Sequence, residues 1–192
     1  MESKVKIHPL QDVPASELNA MQTNVETSVD AIVKELLFDE ARFTGFSPTK
    51  VDSLNITIGA GRLVTAGRIY AATEALSLSL VNLVPTTNSR IVLVVVSGDT
   101  VDTAVATRRF LIDVDTRETQ PRAVTTRTVR QAVVGLVAGT AAAVPSRPAV
   151  PAGAIVVASL VLTPVGIDGT VDVETANSAL SLEKAVASIT LL

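Results

Sequence analysis

A mainly β fold is expected, an antiparallel β-sandwich or barrel-like domain preceded by one long N-terminal α-helix. Three observations predict it. Apolar residues recur at steps of three and four in a single stretch near the N-terminus, the spacing of one helical face. From about residue 46 onward the period changes to two, with many Val and Thr, whose branched Cβ suits a pleated surface. Gly, Pro, Asn and Asp punctuate that region at short intervals, as the turns of an all-β domain require.

The elements follow in order. Residues 1–13 read as an extended arm in which Lys4, Lys6 and His8 alternate with Val5 and Ile7. Such an arm either pairs with a neighbour's sheet edge or stays disordered. A helix is expected from about Ala15 to Phe38, capped by Asp12 or Ser16, with Pro14 suited to its first turn. Its stripe consists of Leu18, Met21, Val25, Val29, Ile32 and Leu36, with Val33 beside it. Two outcomes fit this stripe: packing on the chain's own β domain, or bundling with symmetry mates. Bundling is favoured, because the helix precedes the strands instead of alternating with them.

The strands come next. Leu54, Ile56 and Ile58 alternate with polar residues, and Gly59-Ala60-Gly61 turns the chain. Arg62 to Tyr70 reads as a strand broken at Ala66-Gly67, and Leu76, Leu78 and Leu80 as a half-buried strand. Ile91 to Val96 is a β-branched apolar run, expected as a central strand buried on both faces and ended by Ser97-Gly98-Asp99. Arg109 to Val114 is a separate strand. Val124 to Val137 is another, although its second half has helical propensity. A proline-rich loop from Val144 to Gly153 feeds the strand Ala154 to Leu162; Asp168-Gly169 is a turn, and Thr170 to Glu174 a short strand. The expected organisation is an arm over 1–13, an amphipathic assembly element over 14–45, a β domain over 46–170, and a C-terminal tail or short helix over 171–192.

Composition narrows the function. The chain of 192 residues is 47% hydrophobic and 18% charged, with a net charge of −3, which is globular and not disordered. Aromatics are 3% and Trp is absent, so sugar platforms built on stacking rings are not expected. No basic patch tracks a phosphate backbone, so nucleic acid is not expected as a partner. Arg108, Arg109, Arg117, Arg122, Arg127 and Arg130 alternate with Thr, Asp and Glu, the pattern of solvated strand faces. The apolar runs Gln131–Val144 and Ala154–Leu162 fall short of a membrane span of roughly 20 residues, so membrane insertion is not expected. No signal peptide is visible.

Convergent chemistry is not expected either. Cysteine is absent and His8 is the only histidine, so neither a thiolate metal site nor a histidine-based triad is available. Asp113, Asp115 and Glu118, with the two Asp read onto one strand face, and the group Asp168, Asp172 and Glu174 are the nearest metal candidates. Neither has the spacing of a calcium loop, and both read as turn and strand-end carboxylates. Gly59-Ala60-Gly61-Arg62 resembles part of a phosphate loop but lacks a third glycine and a following helix. Tyr70 reads as a core-edge residue. The expectation is no catalytic residue, no metal, no cofactor and no enzyme activity.

The stretch Ile58-Gly59-Ala60-Gly61-Arg62-Leu63-Val64-Thr65-Ala66-Gly67-Arg68-Ile69-Tyr70 resembles a module of tailed-phage structural proteins. So does Val137-Ala138-Gly139-Thr140-Ala141-Ala142, followed by Pro145, Pro148, Pro151 and Gly153-Ala154-Ile155-Val156-Val157-Ala158. The second passage is similar to the small-residue, spaced-proline, apolar-strand sequence of tail-fibre and baseplate proteins. The resemblance covers about residues 55–167. It implies a virion protein of the tail or baseplate, made in the host cytoplasm. It would act as a baseplate component or tail-fibre base, self-associating (most simply as a homotrimer) and contacting other tail proteins. No repetitive shaft or receptor-binding tip accompanies it. The alternatives are a receptor- or carbohydrate-binding fibre module and, further off, a polysaccharide hydrolase.

Overall fold

The computed structural model describes residues 15–37, 41–113 and 115–175. The arm at 1–13, with His8, and residues 176–192 lie outside them. One helix, α1 (Ala15–Leu37), precedes ten strands. These are β1 (Arg42–Gly45), β2 (Pro48–Lys50), β3 (Asn55–Ile58), β4 (Gly61–Thr65), β5 (Arg68–Ala72), β6 (Leu76–Ser79), β7 (Arg90–Leu111), β8 (Thr119–Ala138), β9 (Ala154–Thr163) and β10 (Gly166–Val173). The fold is mainly β with one N-terminal helix, consistent with the expected sandwich or barrel-like domain.

A seven-stranded sheet runs in the order β1-β4-β5-β8-β7-β9-β10, and a three-stranded sheet in the order β2-β3-β6. All pairings are antiparallel except β5 with β8, which meet in parallel at Ala71 and Gln131. β1 belongs to the large sheet, so the sheet takes up residues that the sequence pattern grouped with the helix. The small sheet contributes Ile56 and Ile58 to the main core, where they join Leu63, Val92, Val94 and Val96. Leu93, Val95 and Val156 form a second, smaller cluster. Val92 to Val96 therefore alternate between two buried clusters, the double-sided burial expected of a central strand. Lys50 Nζ donates to the carbonyls of Ile167 and Gly169, both at 3.1 Å, and ties β2 to β10.

Several local readings change. The run Arg62 to Tyr70 is a hairpin of β4 and β5 in which Ala66 (φ 51°) and Gly67 (φ 72°) form the turn, as a two-residue hairpin loop with positive φ at both positions does. Ser97-Gly98-Asp99 does not end a strand. β7 continues through it to Leu111, 22 residues in all, and pairs along its length with the 20 residues of β8. Gly98 is there for close approach: a Cβ on it would lie 2.5 Å from Cδ2 and Cε2 of Tyr70. The ring crosses the strand where a side chain would otherwise stand. Asp168-Gly169 is a bulge inside β10 (Gly169 φ 71°), with the register shifting between Asp168 and Asp172.

The long hairpin leaves the body of the sheet. β9 accompanies β7 only as far as Ser97, and β5 meets β8 only at Gln131. From Thr100 to Leu111, and from Thr119 to Arg130, β7 and β8 form a two-stranded ribbon about 36 Å long at roughly 3.3 Å per residue. Its register is irregular between Asp102 and Val105, a feature that bends and twists a ribbon.

Candidate functional site: the helix seat and the ribbon

The helix meets the β body through its polar side. Arg130 lies four residues, an even number, from Val134, a residue packed on the main core, so its side chain points to that same face of the sheet. There it forms a two-pronged pair with Asp30: Nη1 donates to Oδ1 at 2.6 Å and Nη2 to Oδ2 at 2.9 Å. Glu26 Oε2 lies 3.6 Å from Arg130 Nη2, and Asp30 Oδ2 lies 3.7 Å from Arg68 Nε. The hydrogen bonding to Asp30 holds the Arg130 guanidinium even more firmly in its charged form, against a smaller opposing effect of burial. Gly67 completes the seat. A Cβ there would come within 2.9 Å of Lys34 Cβ and 3.1 Å of the Asp30 carbonyl, so only a bare turn lets the helix settle.

The rest of the seat is open and hydrophilic. A polar cleft of about 660 Å³ separates the helix from the ribbon, with Asn19, Gln22 and Thr23 facing Thr126 and Thr128 across it. The side chains lining it are hydroxyls, amides and the ions Glu26, Arg68, Arg127 and Arg130, with no juxtaposed base and nucleophile.

The apolar stripe points elsewhere. At 100° per residue it is centred somewhat more than a quarter-turn away from the face made by Gln22, Glu26 and Asp30. Leu18 is 50% exposed, Met21 40%, Val25 64%, Val29 48% and Ile32 55%. The side chain of Leu36 lies outside the described residues. The chain's own β domain thus leaves much of the stripe exposed, although the helix itself is seated on that domain through Asp30 and Arg130.

The other candidates resolve into local structure. Asp113 and Asp115 are not on a strand face, because β7 ends at Leu111 and they sit in the ribbon's tip turn. Asp113 Oδ1 accepts from the backbone N–H of Asp115 at 2.8 Å and of Thr116 at 3.1 Å. The Thr116 bond, then the Asp115 bond, hold this carboxyl below its ordinary pKa. Glu118 gives its carbonyl to the Ile112 N–H at 2.9 Å. In the second group, Asp172 accepts from Thr170 Oγ1 at 3.1 Å and Glu174 pairs with Arg147 at 2.7 Å, while Asp168 stands apart on the bulge. Among the described residues no three acidic or histidine side chains lie together as a metal site would need. Gly61 opens β4, and a Cβ on it would strike the Phe46 ring at 2.7 Å; this glycine serves packing. Tyr70 is 8% exposed and belongs to the core. No described helix is long and apolar enough to cross a membrane.

Two features went unread in the sequence. One is Arg130 as the helix clamp, a hundred residues from Asp30; its only signal was an aspartate on the polar face. The other is the ribbon, concealed because Gly98 looks like a strand terminator. Of the six arginines, Arg108, Arg109, Arg117, Arg122 and Arg127 all fall on the ribbon or its tip. Arg108 stands directly opposite Arg122, whose guanidinium lies 5.9 Å from the Phe110 ring centroid.

No family model, no curated protein and no solved structure matches this chain.

Proposed function

We propose that this chain is a non-enzymatic structural subunit of a phage-like tail, a baseplate component or fibre base that works as a homo-oligomer. One observation carries the reading: an amphipathic helix turns its polar face to its own sheet and leaves its apolar stripe to solvent. Amphipathic helices on globular domains normally do the reverse. Each of these half-exposed aliphatic side chains forgoes about half of the roughly 1.5–3 kcal/mol that full burial contributes, and a helix of 23 residues gains most of its stability from packing its apolar face. A partner that covers Leu18, Met21, Val25, Val29 and Ile32 recovers that free energy. The tail assignment rests on the sequence resemblance over about residues 55–167, and with it go a trimeric state, neighbouring tail proteins as partners and a place in the virion.

The test uses the full chain. Light scattering is expected to give a multiple of the 20.0 kDa monomer, and Val29→Asp with Ile32→Asp is expected to give a folded monomer with an unchanged β spectrum. A wild-type monomer at high micromolar concentration overturns self-association. For the virion role, mass spectrometry and antibody labelling of purified particles should place the chain at the tail; its absence from particles refutes that part.

A further inference from the structure

Among the described residues the ribbon is a second exposed surface besides the helix stripe. We infer that the ribbon face of one copy that carries Val105 and Leu111 receives the apolar stripe of α1 from a second copy. This rests on the self-association reading and names what the stripe meets.

Three observations carry it. The first is exposure of the right kind. Beyond the irregularity at Asp102–Val105, β7 places Val105, Thr107, Arg109 and Leu111 on one face of the ribbon, opposite Thr125, Ala123, Pro121 and Thr119 of β8; Thr125, at its base, also lines the cleft against the chain's own helix. Val105 is 71% exposed and Leu111 54%. Two-stranded ribbons alone are at best marginally stable in water, so this one needs a cover, and an apolar centre with a polar margin is what a helix stripe fits.

The second is charge. Between residues 104 and 127 there are five arginines against three carboxylates, a net of +2, so the rest of the chain carries −5. On the helix, Glu26 and Asp30 are engaged with Arg130 of the same chain, which leaves Glu17 and Glu35 against Lys34, a net of −1. A positive ribbon and a negative helix attract when they come from different copies.

The third is size. The helix is about 35 Å long at 1.5 Å per residue, and the ribbon about 36 Å at 3.3 Å per residue. A stripe or a ribbon face about 10 Å wide offers roughly 350 Å² of footprint. A stable interface takes about 800 Å² from each partner. Neither surface alone reaches that value. In a reciprocal pair each copy lays its stripe on the ribbon face of the same partner, which covers about 700 Å² on each and comes near that value. Repeated head to tail, the same contact closes into a ring only where the rotation between copies permits it.

The chain contains no cysteine, which makes cross-linking unambiguous. Val25→Cys and Val105→Cys variants of the full chain, each exposed in the monomer, are mixed and treated with a short bis-maleimide. Cross-linked dimers that appear only when both variants are present support the proposal. So does an increase of at least about tenfold in the apparent dissociation constant for Val105→Asp with Leu111→Asp, as expected when charges enter an apolar contact. Cross-linking of Val25→Cys with itself means helices bundle with one another; this overturns the proposal and leaves self-association standing. Self-cross-linking of Val105→Cys, or an oligomer whose ribbon amides exchange as fast as in the monomer, overturns it equally. A wild-type chain that never self-associates removes both readings.

Discussion

Replacing Arg130 by Met tests whether the helix is held to the sheet by an ion pair and little else. The two hydrogen bonds to Asp30, at 2.6 and 2.9 Å, join side chains that are 27% and 22% exposed. Fully exposed pairs contribute about 0.2–1 kcal/mol, and hydrogen bonds to charged groups about 1.5–3 kcal/mol. Partial burial and the two-pronged geometry place this pair between those limits, at about 2 kcal/mol, or roughly a thirtyfold change in the ratio of docked to undocked helix. Asp30 keeps Arg68 as a neighbour at 3.7 Å, so the substitution does not strand a buried charge. The assay is amide hydrogen exchange on the full chain, below the concentration at which it assembles. Exchange across Ala15–Leu37 should accelerate about thirtyfold, while amides of β7 and β9 in the core keep their protection. The charge-swapped pair Asp30→Arg with Arg130→Asp should recover part of the loss, and high salt should weaken the wild-type clamp. Unchanged helix exchange in Arg130→Met would refute the clamp and mean that other contacts hold the helix.

Other perturbations probe the ribbon. Gly98→Ala should destabilise the chain by about 1–3 kcal/mol, the usual cost of overpacking, because its Cβ meets the Tyr70 ring. In a Tyr70→Leu background the same change should cost under about 1 kcal/mol, measured by urea unfolding; equal costs in the two backgrounds would remove the ring as the cause. At the tip, Asp113 should titrate below the ordinary aspartate value of 3.8, because its charged form accepts the Thr116 and Asp115 amides. Since the folded-state pKa is depressed, the ordering of the tip is fully present above that value and fades as pH falls through the lower one. Nuclear magnetic resonance should show the Asp115 and Thr116 amide shifts moving with that midpoint, and Asp113→Ala should abolish the movement.

What the sequence determined by itself was periodic. The steps of three and four from Leu18 to Ile32 marked a helix that the fold places at Ala15–Leu37, and the alternation at Leu54, Ile56 and Ile58 marked β3. The β-branched run at Ile91–Val96 marked a strand buried on both sides. These features are local, since burial of a face imposes its period on neighbouring residues. The tertiary structure decided the rest, because it depends on residues far apart in the chain. Gly98 reads as a stop until Tyr70, from another strand, is seen lying over it; only then do two short strands become one arm. Likewise the stripe of α1 specified an apolar face but not what it faces. Asp30 and Arg130, a hundred residues apart, turn the polar side of the helix to the sheet; an ion pair has a direction, and this one leaves the apolar side exposed.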